Sequence, residues 1–266
     1  MDNTDKAGKS YWDQNWENRQ LPQAVDPRAK GLTHYVNRKF HEFFRETFAQ
    51  MDTKGMRILE IGCARSQWLP YFAKEFGFRV CGLDYSDRGC QQARQILAEE
   101  GVEGEVVCSD LFCPPRSMLA AFDVVVSFGV VEHFENTAGC LKALSEFLKP
   151  GGLAITSIPN LTGLIGYIQK VVNREVFDVH VPLDDRALVA NHEPNLHVLS
   201  CRYFLIVNWN VINIENLERK VSYRVGVRLR SWMSNGFWIL EKFAPIFKPN
   251  RLTSPYINCV ARRPCV

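Results

Sequence analysis

The stretch Met56-Arg57-Ile58-Leu59-Glu60-Ile61-Gly62 confines this chain to a small set of folds. An apolar run of strand length ends on a carboxylate, and the chain then turns at Gly62. A second run, Phe78-Arg79-Val80-Cys81-Gly82-Leu83, ends at Asp84. That acid stands about 20 residues after the turn, where an open parallel sheet places the carboxylate that receives ribose hydroxyls. The glycines that a dinucleotide pyrophosphate demands are missing, because Ala64 and Gln67 stand at the next two expected positions. A nicotinamide oxidoreductase is therefore disfavoured.

From residue 56 onward strands and helices alternate. The pattern predicts strands at 56–61, 78–83 and 104–109, a fourth over Val124–Val126, and a fifth at 153–158. Helices are expected at about 67–76 and 87–99, with another carrying Leu141, Leu144, Phe147 and Leu148 up to the Lys149-Pro150-Gly151-Gly152 turn. A short helix near 201–208, a strand near 211–217 and a closing strand over Tyr256–Ala261 complete the count. Such alternation implies right-handed crossovers and a doubly wound α/β fold with a mostly parallel, seven-stranded sheet. Ahead of it, Asp26-Pro27 reads as a helix start. Leu32, Tyr35, Val36, Phe40, Phe43, Phe44 and Phe48 then repeat at helical spacing to about Gln50, an aromatic stripe expected to be core.

An apolar fraction of 46% and a charged fraction of 23% fit a globular protein, and a net charge of +3 is too small to imply nucleic acid. The nine cysteines are scattered without a CxxC pair, so neither a disulfide framework nor a zinc site is expected, and a reducing cytoplasm suits them. The polar first 20 residues read as no signal peptide, and no run reaches the ~18 apolar residues of a membrane span.

Five motifs in order carry a resemblance. They are Leu59-Glu60-Ile61-Gly62-Cys63, Gly82-Leu83-Asp84-Tyr85-Ser86 and Ser109-Asp110-Leu111, then Phe122-Asp123-Val124-Val125-Val126-Ser127-Phe128 with Val131-Glu132-His133-Phe134, and Leu148-Lys149-Pro150-Gly151-Gly152. Together they resemble the class I S-adenosylmethionine-dependent methyltransferases, a Rossmann-like fold, and within them the small-molecule group that includes ubiquinone-biosynthesis O-methyltransferase-like enzymes. The resemblance covers about residues 27–160 well and 197–262 weakly. It implies S-adenosyl-L-methionine as cofactor, held by Glu60, Gly62, Cys63, Ala64, Asp84, Tyr85, Asp110, Leu111 and Phe128. Asp84 is expected to accept the ribose hydroxyls and Asp110 to contact the adenine amino group, while Glu60 orients the loop. Ala64 and Ser66 stand where the family's loop is richer in glycine, and the Ser66 hydroxyl is placed to cap the next helix.

The implied reaction is an in-line displacement at a methyl group by a small-molecule acceptor, expected at oxygen. Alignment can supply roughly 7–11 kcal/mol of such a barrier, whereas a general base adds ~10²–10⁴-fold. His133, after the fourth strand, and His197 are the candidate bases. Tyr11 and Trp12 are expected in the substrate pocket. Asp178, His180, Asp184, Asp185, His192 and Glu193 match no metal-ligand spacing, so no metal is assigned. The expected divisions are 1–50 (aromatic segment and helix), 51–160 (cofactor core) and 161–200 (insertion bearing pocket or lid). Residues 201–217 return to the core, 218–252 form a basic and aromatic insertion, and 253–266 close the sheet. Arg219, Lys220, Arg224, Arg228 and Arg230 beside Trp232, Phe237, Trp238, Phe243 and Phe247 suit a lid over a lipophilic acceptor, peripheral membrane contact through 219–247, or plain cover. No nucleic-acid motif accompanies them. The alternatives kept open are an N-methyltransferase and a cofactor- or partner-binding module without catalysis; oligomeric state is left open.

Overall fold

The computed structural model describes residues 4–17, 19–217, 221–243 and 247–265, with side chains at all of these except 221, 222, 242 and 243. Arg219, Lys220 and the Phe243 side chain, all singled out above, lie outside the described residues.

Chain order is α1 (Lys9–Asn15), α2 (Tyr35–Phe48), β1 (Arg57–Ile61), α3 (Trp68–Phe76), β2 (Arg79–Asp84), α4 (Asp87–Glu99), β3 (Gly104–Cys108) and β4 (Phe122–Phe128). There follow α5 (Thr137–Glu146), β5 (Leu148–Pro159), α6 (Leu164–Val172), α7 (Arg174–Asp178), α8 (Asp185–His192), β6 (His197–Phe204), α9 (Val221–Phe243) and β7 (Tyr256–Arg262). The seven strands form one sheet in the order β3-β2-β1-β4-β5-β7-β6. All neighbours run parallel except β7, which is antiparallel to both β5 and β6. The doubly wound, mostly parallel sheet expected from the alternation is what the chain builds.

Each strand feeds two cores by alternation. In β1, Leu59 and Ile61 face one cluster while Ile58 faces the other. The first cluster is closed by α5 and α8 through Leu141, Leu144 and Leu188. The second is closed by α2 and α3 through Phe40, Phe43, Phe44, Phe48 and Phe72, so the aromatic stripe is core as expected. Burying each such ring contributes roughly 1.5–3 kcal/mol.

Three expectations are corrected. The first long helix starts at Tyr35 rather than at Asp26-Pro27, because the Asp26 carboxylate accepts from Arg28 N at 2.9 Å and closes a turn instead. The first half of the segment expected as a helix near 201–208 belongs to strand β6, and residues 205–208 are neither helix nor strand. Pairing with β7, from Cys201 opposite Cys259 to Phe204 opposite Tyr256, supplies its backbone hydrogen bonds, which excludes a helix there. The strand expected near 211–217 consists of 3₁₀ turns at Trp209–Val211 and Glu215–Leu217, with Asn208 Oδ1 accepting from Asn210 N at 3.2 Å in the first.

Candidate cofactor and acceptor site

Two cavities lie at the carboxyl ends of the parallel strands, the ligand-binding edge of open α/β sheets. The first, of about 250 Å³, is lined by Glu60, Gly62, Ala64, Asp84, Tyr85 and Phe128 among the expected cofactor residues. The second, of about 400 Å³, is lined by Phe40, Glu132, Ser157, His180 and Tyr256. Trp12, Gln67, Trp68, Phe128, Gly129 and His133 line both, so the two are neighbours across β4.

The first cavity is built by the turn after β1. Gly62 adopts φ +74°, and its N–H donates to Leu83 O at 2.8 Å, tying the turn to β2. A Cβ at Gly62 would lie 2.5 Å from Val130 Cγ2, so glycine is required by conformation and by space. Ser66 Oγ donates to Glu60 Oε2 at 2.5 Å and accepts from the N–H groups of Trp68 and Leu69, each at 3.0 Å. It satisfies the start of α3 as expected, and it links Glu60 to the loop. Burial pushes Glu60 up to about 8, against the bond from Ser66.

Asp84 closes β2 with 7% of its surface exposed. Its Oδ2 accepts from Ala64 N at 3.0 Å and its Oδ1 from Ser86 N at 2.8 Å. Burial raises it to about 6 despite these bonds. A carboxylate has about four acceptor sites, more than its backbone donors occupy, so capacity remains for hydroxyl donors from the cavity. This arrangement fits a ribose with two adjacent hydroxyls.

The N-terminal segment roofs the cavity. Asp5 accepts from Trp12 Nε1 at 2.9 Å and from the Tyr85 hydroxyl. Asp13 accepts from Ser86 Oγ at 2.5 Å, and Lys9 bridges Asp13 and Asp87 at 3.0 and 2.8 Å. Trp12 stacks on Trp16 and meets His133 edge-on at 5.0 Å.

At the other end stand Glu132, His133 and His180, whose ligand atoms all lie within 4.8 Å of one another. His133 Nδ1 donates to Val179 O at 2.9 Å and His180 Nδ1 to Val176 O at 2.5 Å. A carbonyl only accepts, so each ring keeps its lone pair on Nε2. Burial lowers both imidazoles, His180 to about 4 with a further contribution from His133. Both Glu132 oxygens are buried without a hydrogen-bond partner among the described residues, and burial raises that carboxyl to about 8. One carboxylate and two imidazoles are also a donor set that chemistry allows for a divalent ion. The linear spacing concealed it, because His180 comes from the segment after α7.

Several expected site residues are placed elsewhere. Cys63 is fully buried beneath Gly82 and lines neither cavity. Asp110 is exposed, with its Oδ1 accepting from Phe112 N at 2.8 Å, and Leu111 packs in the core. Tyr11 packs edge-on against Trp12 at 5.1 Å without lining a cavity. His197 is exposed at the first residue of β6, paired with Arg262 opposite Leu153. The site edge lies at Pro159 and Phe204, and Pro159 is six residues or about 20 Å along the strand from Leu153, so His197 lies at the far end of the sheet. No described residue of α9 lines either cavity; the roof is the N-terminal segment. Asp5, Trp16, Gln67, Trp68, Glu132 and His180 join the site beyond those expected. Trp16 carried a signal as an aromatic in a polar segment, whereas Asp5 carried none.

Residues 32–233 match a family described as a methyltransferase domain. The ubiquinone biosynthesis O-methyltransferase of Roseobacter denitrificans is 30% identical over 169 residues, covering 62% of this chain and 64% of that protein. The chain thus spans less than two thirds of that relative's length. EEF1A lysine methyltransferase 2 of Danio rerio is 25% identical over 162 residues, covering 58% and 69%. Among solved structures, the [4+2]-cyclase SpnF superposes with a TM-score of 0.62 at 15% identity, covering 100% of this chain and 98% of that one. Phosphoethanolamine N-methyltransferase 2 of Haemonchus contortus, solved with S-adenosyl-L-methionine, gives a TM-score of 0.56 at 17% identity, covering 86% and 52%. The chain belongs to the methyltransferase-domain family, the class I S-adenosylmethionine-dependent methyltransferases.

Proposed function

We propose that the protein transfers a methyl group from S-adenosyl-L-methionine to an oxygen of a small-molecule acceptor. The observation that carries this reading is the pair of neighbouring cavities that meet at Phe128 and Gly129. One end presents Asp84 to a ribose, and the other presents two free imidazole nitrogens to an acceptor. When bound, the cofactor supplies an electrophilic methyl group on a sulfonium leaving group.

The chain's own residues do the rest. Asp84 accepts the ribose hydroxyls, and Gly62 lets the backbone approach the ligand. Trp12, Trp68 and Phe128 line the junction and exclude water from it. His133 Nε2 receives the acceptor's hydroxyl proton, and because burial lowers this imidazole its lone pair is available near neutral pH. His180 and Glu132 flank it. Asp110 and Leu111, beyond the cavity wall, extend the strand-end row toward the adenine. Oxygen is favoured over nitrogen because a neutral amine needs no base, whereas a phenol or enol gains from one.

The test is conversion of labelled S-adenosyl-L-methionine against a panel of phenols, catechols and primary or secondary amines. Methylated phenols with His133→Asn strongly impaired would support the reading. Methylated amines alone would overturn the oxygen assignment, and no turnover despite tight cofactor binding would favour a non-catalytic binding module. Exhaustive chelation is expected to leave the rate unchanged; a loss restored by added Mn²⁺ or Zn²⁺ would reassign Glu132, His133 and His180 to a cation.

A further inference from the structure

Helix α9 has two apolar faces, and one of them has no cover among the described residues. Toward the body it turns Tyr223 and Val227 onto Ile212 and Ile214, while Trp238 stacks on Tyr35 at 4.8 Å and donates to Val207 O at 2.8 Å. On the opposite side Val225, Leu229, Trp232 and Leu240 follow the helical repeat, with exposures of 60%, 52%, 74% and 62%. A helix lying on a globular body ordinarily turns polar residues outward at these positions. Helix α6, which packs on the same Ile212–Ile214 cluster, adds Tyr167 and Val171, one turn apart and about 70% exposed.

On α9 itself the charge beside this stripe has one sign, and Glu215 on the adjoining turn is paired with Arg19. Residues 221–240 contain three arginines and no acid. Arg224 and Arg228 are exposed along one flank of the stripe, whereas Arg230 donates to Ile212 O. Glu241, the first acid after the stripe, is tied to the Tyr35 hydroxyl. Lys170 and Lys248 are exposed on the neighbouring α6 and on the segment after α9, and Phe247 and Leu252 are exposed there too. A second copy of this chain would set arginine against arginine across a two-fold axis, so the face is not complementary to itself. Apolar and aromatic side chains flanked by cations fit an interface that is apolar in depth and anionic at its surface.

We propose that the outer face of α9, with Tyr167 and Val171 of α6, docks the protein onto an anionic lipid bilayer surface. Docking is in the plane of the interface, since no helix among the described residues is long and apolar enough to cross a membrane. Trp232 and Leu229 enter the boundary between headgroups and chains, and Arg224 and Arg228 meet the anionic headgroups. The face lies apart from both cavities, so docking leaves the cofactor site open.

The experiment is vesicle co-sedimentation of the full chain. Vesicles of phosphatidylcholine alone are compared with equal parts phosphatidylcholine and phosphatidylglycerol, at low and high salt. Expected are partition to the anionic vesicles, weakening at high salt, and at least a tenfold loss in a Leu229→Glu/Trp232→Glu variant. Arg224→Gln/Arg228→Gln, outside any packed face, is expected to weaken binding severalfold and to flatten its salt dependence. Both variants should keep the wild-type melting temperature and S-adenosyl-L-methionine affinity. Failure of the wild type to sediment with anionic vesicles would overturn the proposal, as would equal binding by the variants. So would a wild-type dimer in sedimentation equilibrium that the Leu229→Glu/Trp232→Glu change dissolves, which would make the face a contact between copies.

Discussion

Ser86 Oγ donates to the Asp13 carboxylate at 2.5 Å while accepting from Gly89 N at 3.0 Å, so one hydroxyl both caps α4 and holds α1 over the cofactor cavity. The residue whose N–H donates to Asp84 Oδ1 is thereby tied to the roof. Asp13→Ala is expected to loosen that roof, raising the cofactor dissociation rate about fivefold to tenfold with little change in overall melting. Stopped-flow dissociation and amide exchange over residues 4–17 would measure it; an unchanged off-rate would show that the segment does not gate the site.

Asp84 couples cofactor binding to pH. Its folded value of about 6 lies above the ordinary carboxylate value of 3.8, and burial is the main cause. The folded chain therefore holds this proton more tightly than the unfolded chain. The stability it contributes is complete below about pH 4 and is lost as pH rises through about 6. Asp84→Asn should remove that pH dependence, but its amide nitrogen cannot accept as the carboxylate oxygen does, so the bond from Ala64 N or Ser86 N is lost and the net gain in stability at pH 7 is expected to be small. The same change should weaken S-adenosyl-L-methionine roughly 10–100-fold, since a charge-assisted bond is worth about 1.5–3 kcal/mol. In the wild type, affinity should rise with pH through about 6 as the carboxylate ionises. Calorimetric titration from pH 5 to 8 gives both slopes, and a flat wild-type profile would count against Asp84 as the ribose acceptor.

The two histidines expected as bases now separate. His133→Asn should lower kcat by about 10²–10⁴-fold with cofactor affinity retained. His197→Ala, at the far end of the sheet, should leave kcat and KM unchanged. Equal effects from the two would contradict the geometry.

Phe44 is fully buried and meets Phe40, Phe72 and Trp68 at ring distances of 6.1, 5.0 and 5.6 Å. Phe44→Ala should cost about 3–5 kcal/mol. Denaturant unfolding is the measurement, and a cost below 1 kcal/mol would mean that the second core collapses onto the gap.

Gly62→Ala should cost about 1–2 kcal/mol from the left-handed backbone, with the Val130 contact added. A fall of several degrees in melting temperature together with loss of cofactor binding is expected. Retained binding would show that the turn can move away from Val130.

That Glu60, Gly62 and Asp84 share one cavity was legible because their signals are local. Glu60, Gly62 and Asp84 each sit at the end of an apolar strand, and the strand end itself puts them at one edge. Cys63 was misread because the same turn alternates its residues between cavity and core, and linear order does not say which points inward. Of the two sheet edges β3 was legible and β6 was not. β6 mixes polar and apolar residues without a regular period, and only its pairing with β7 makes it a strand. The acceptor end was hidden by distance along the chain. Glu132 and His133 follow β4, whereas His180 arrives after three further helices, and nothing in either stretch announces the other.

The antiparallel strand β7 lies between β5 and β6 in space but after both in sequence. Until residues 256–262 emerge from the ribosome, β5 and β6 each keep a bare hydrogen-bonding edge, and the two apolar cores remain open on that side. Synthesis thus passes through a stage in which the edges of β5 and β6 that β7 covers are open to pairing with another chain. The order of the strands makes β7 the piece that seals the sheet, and truncation before Tyr256 is expected to lead to aggregation rather than to a smaller folded unit.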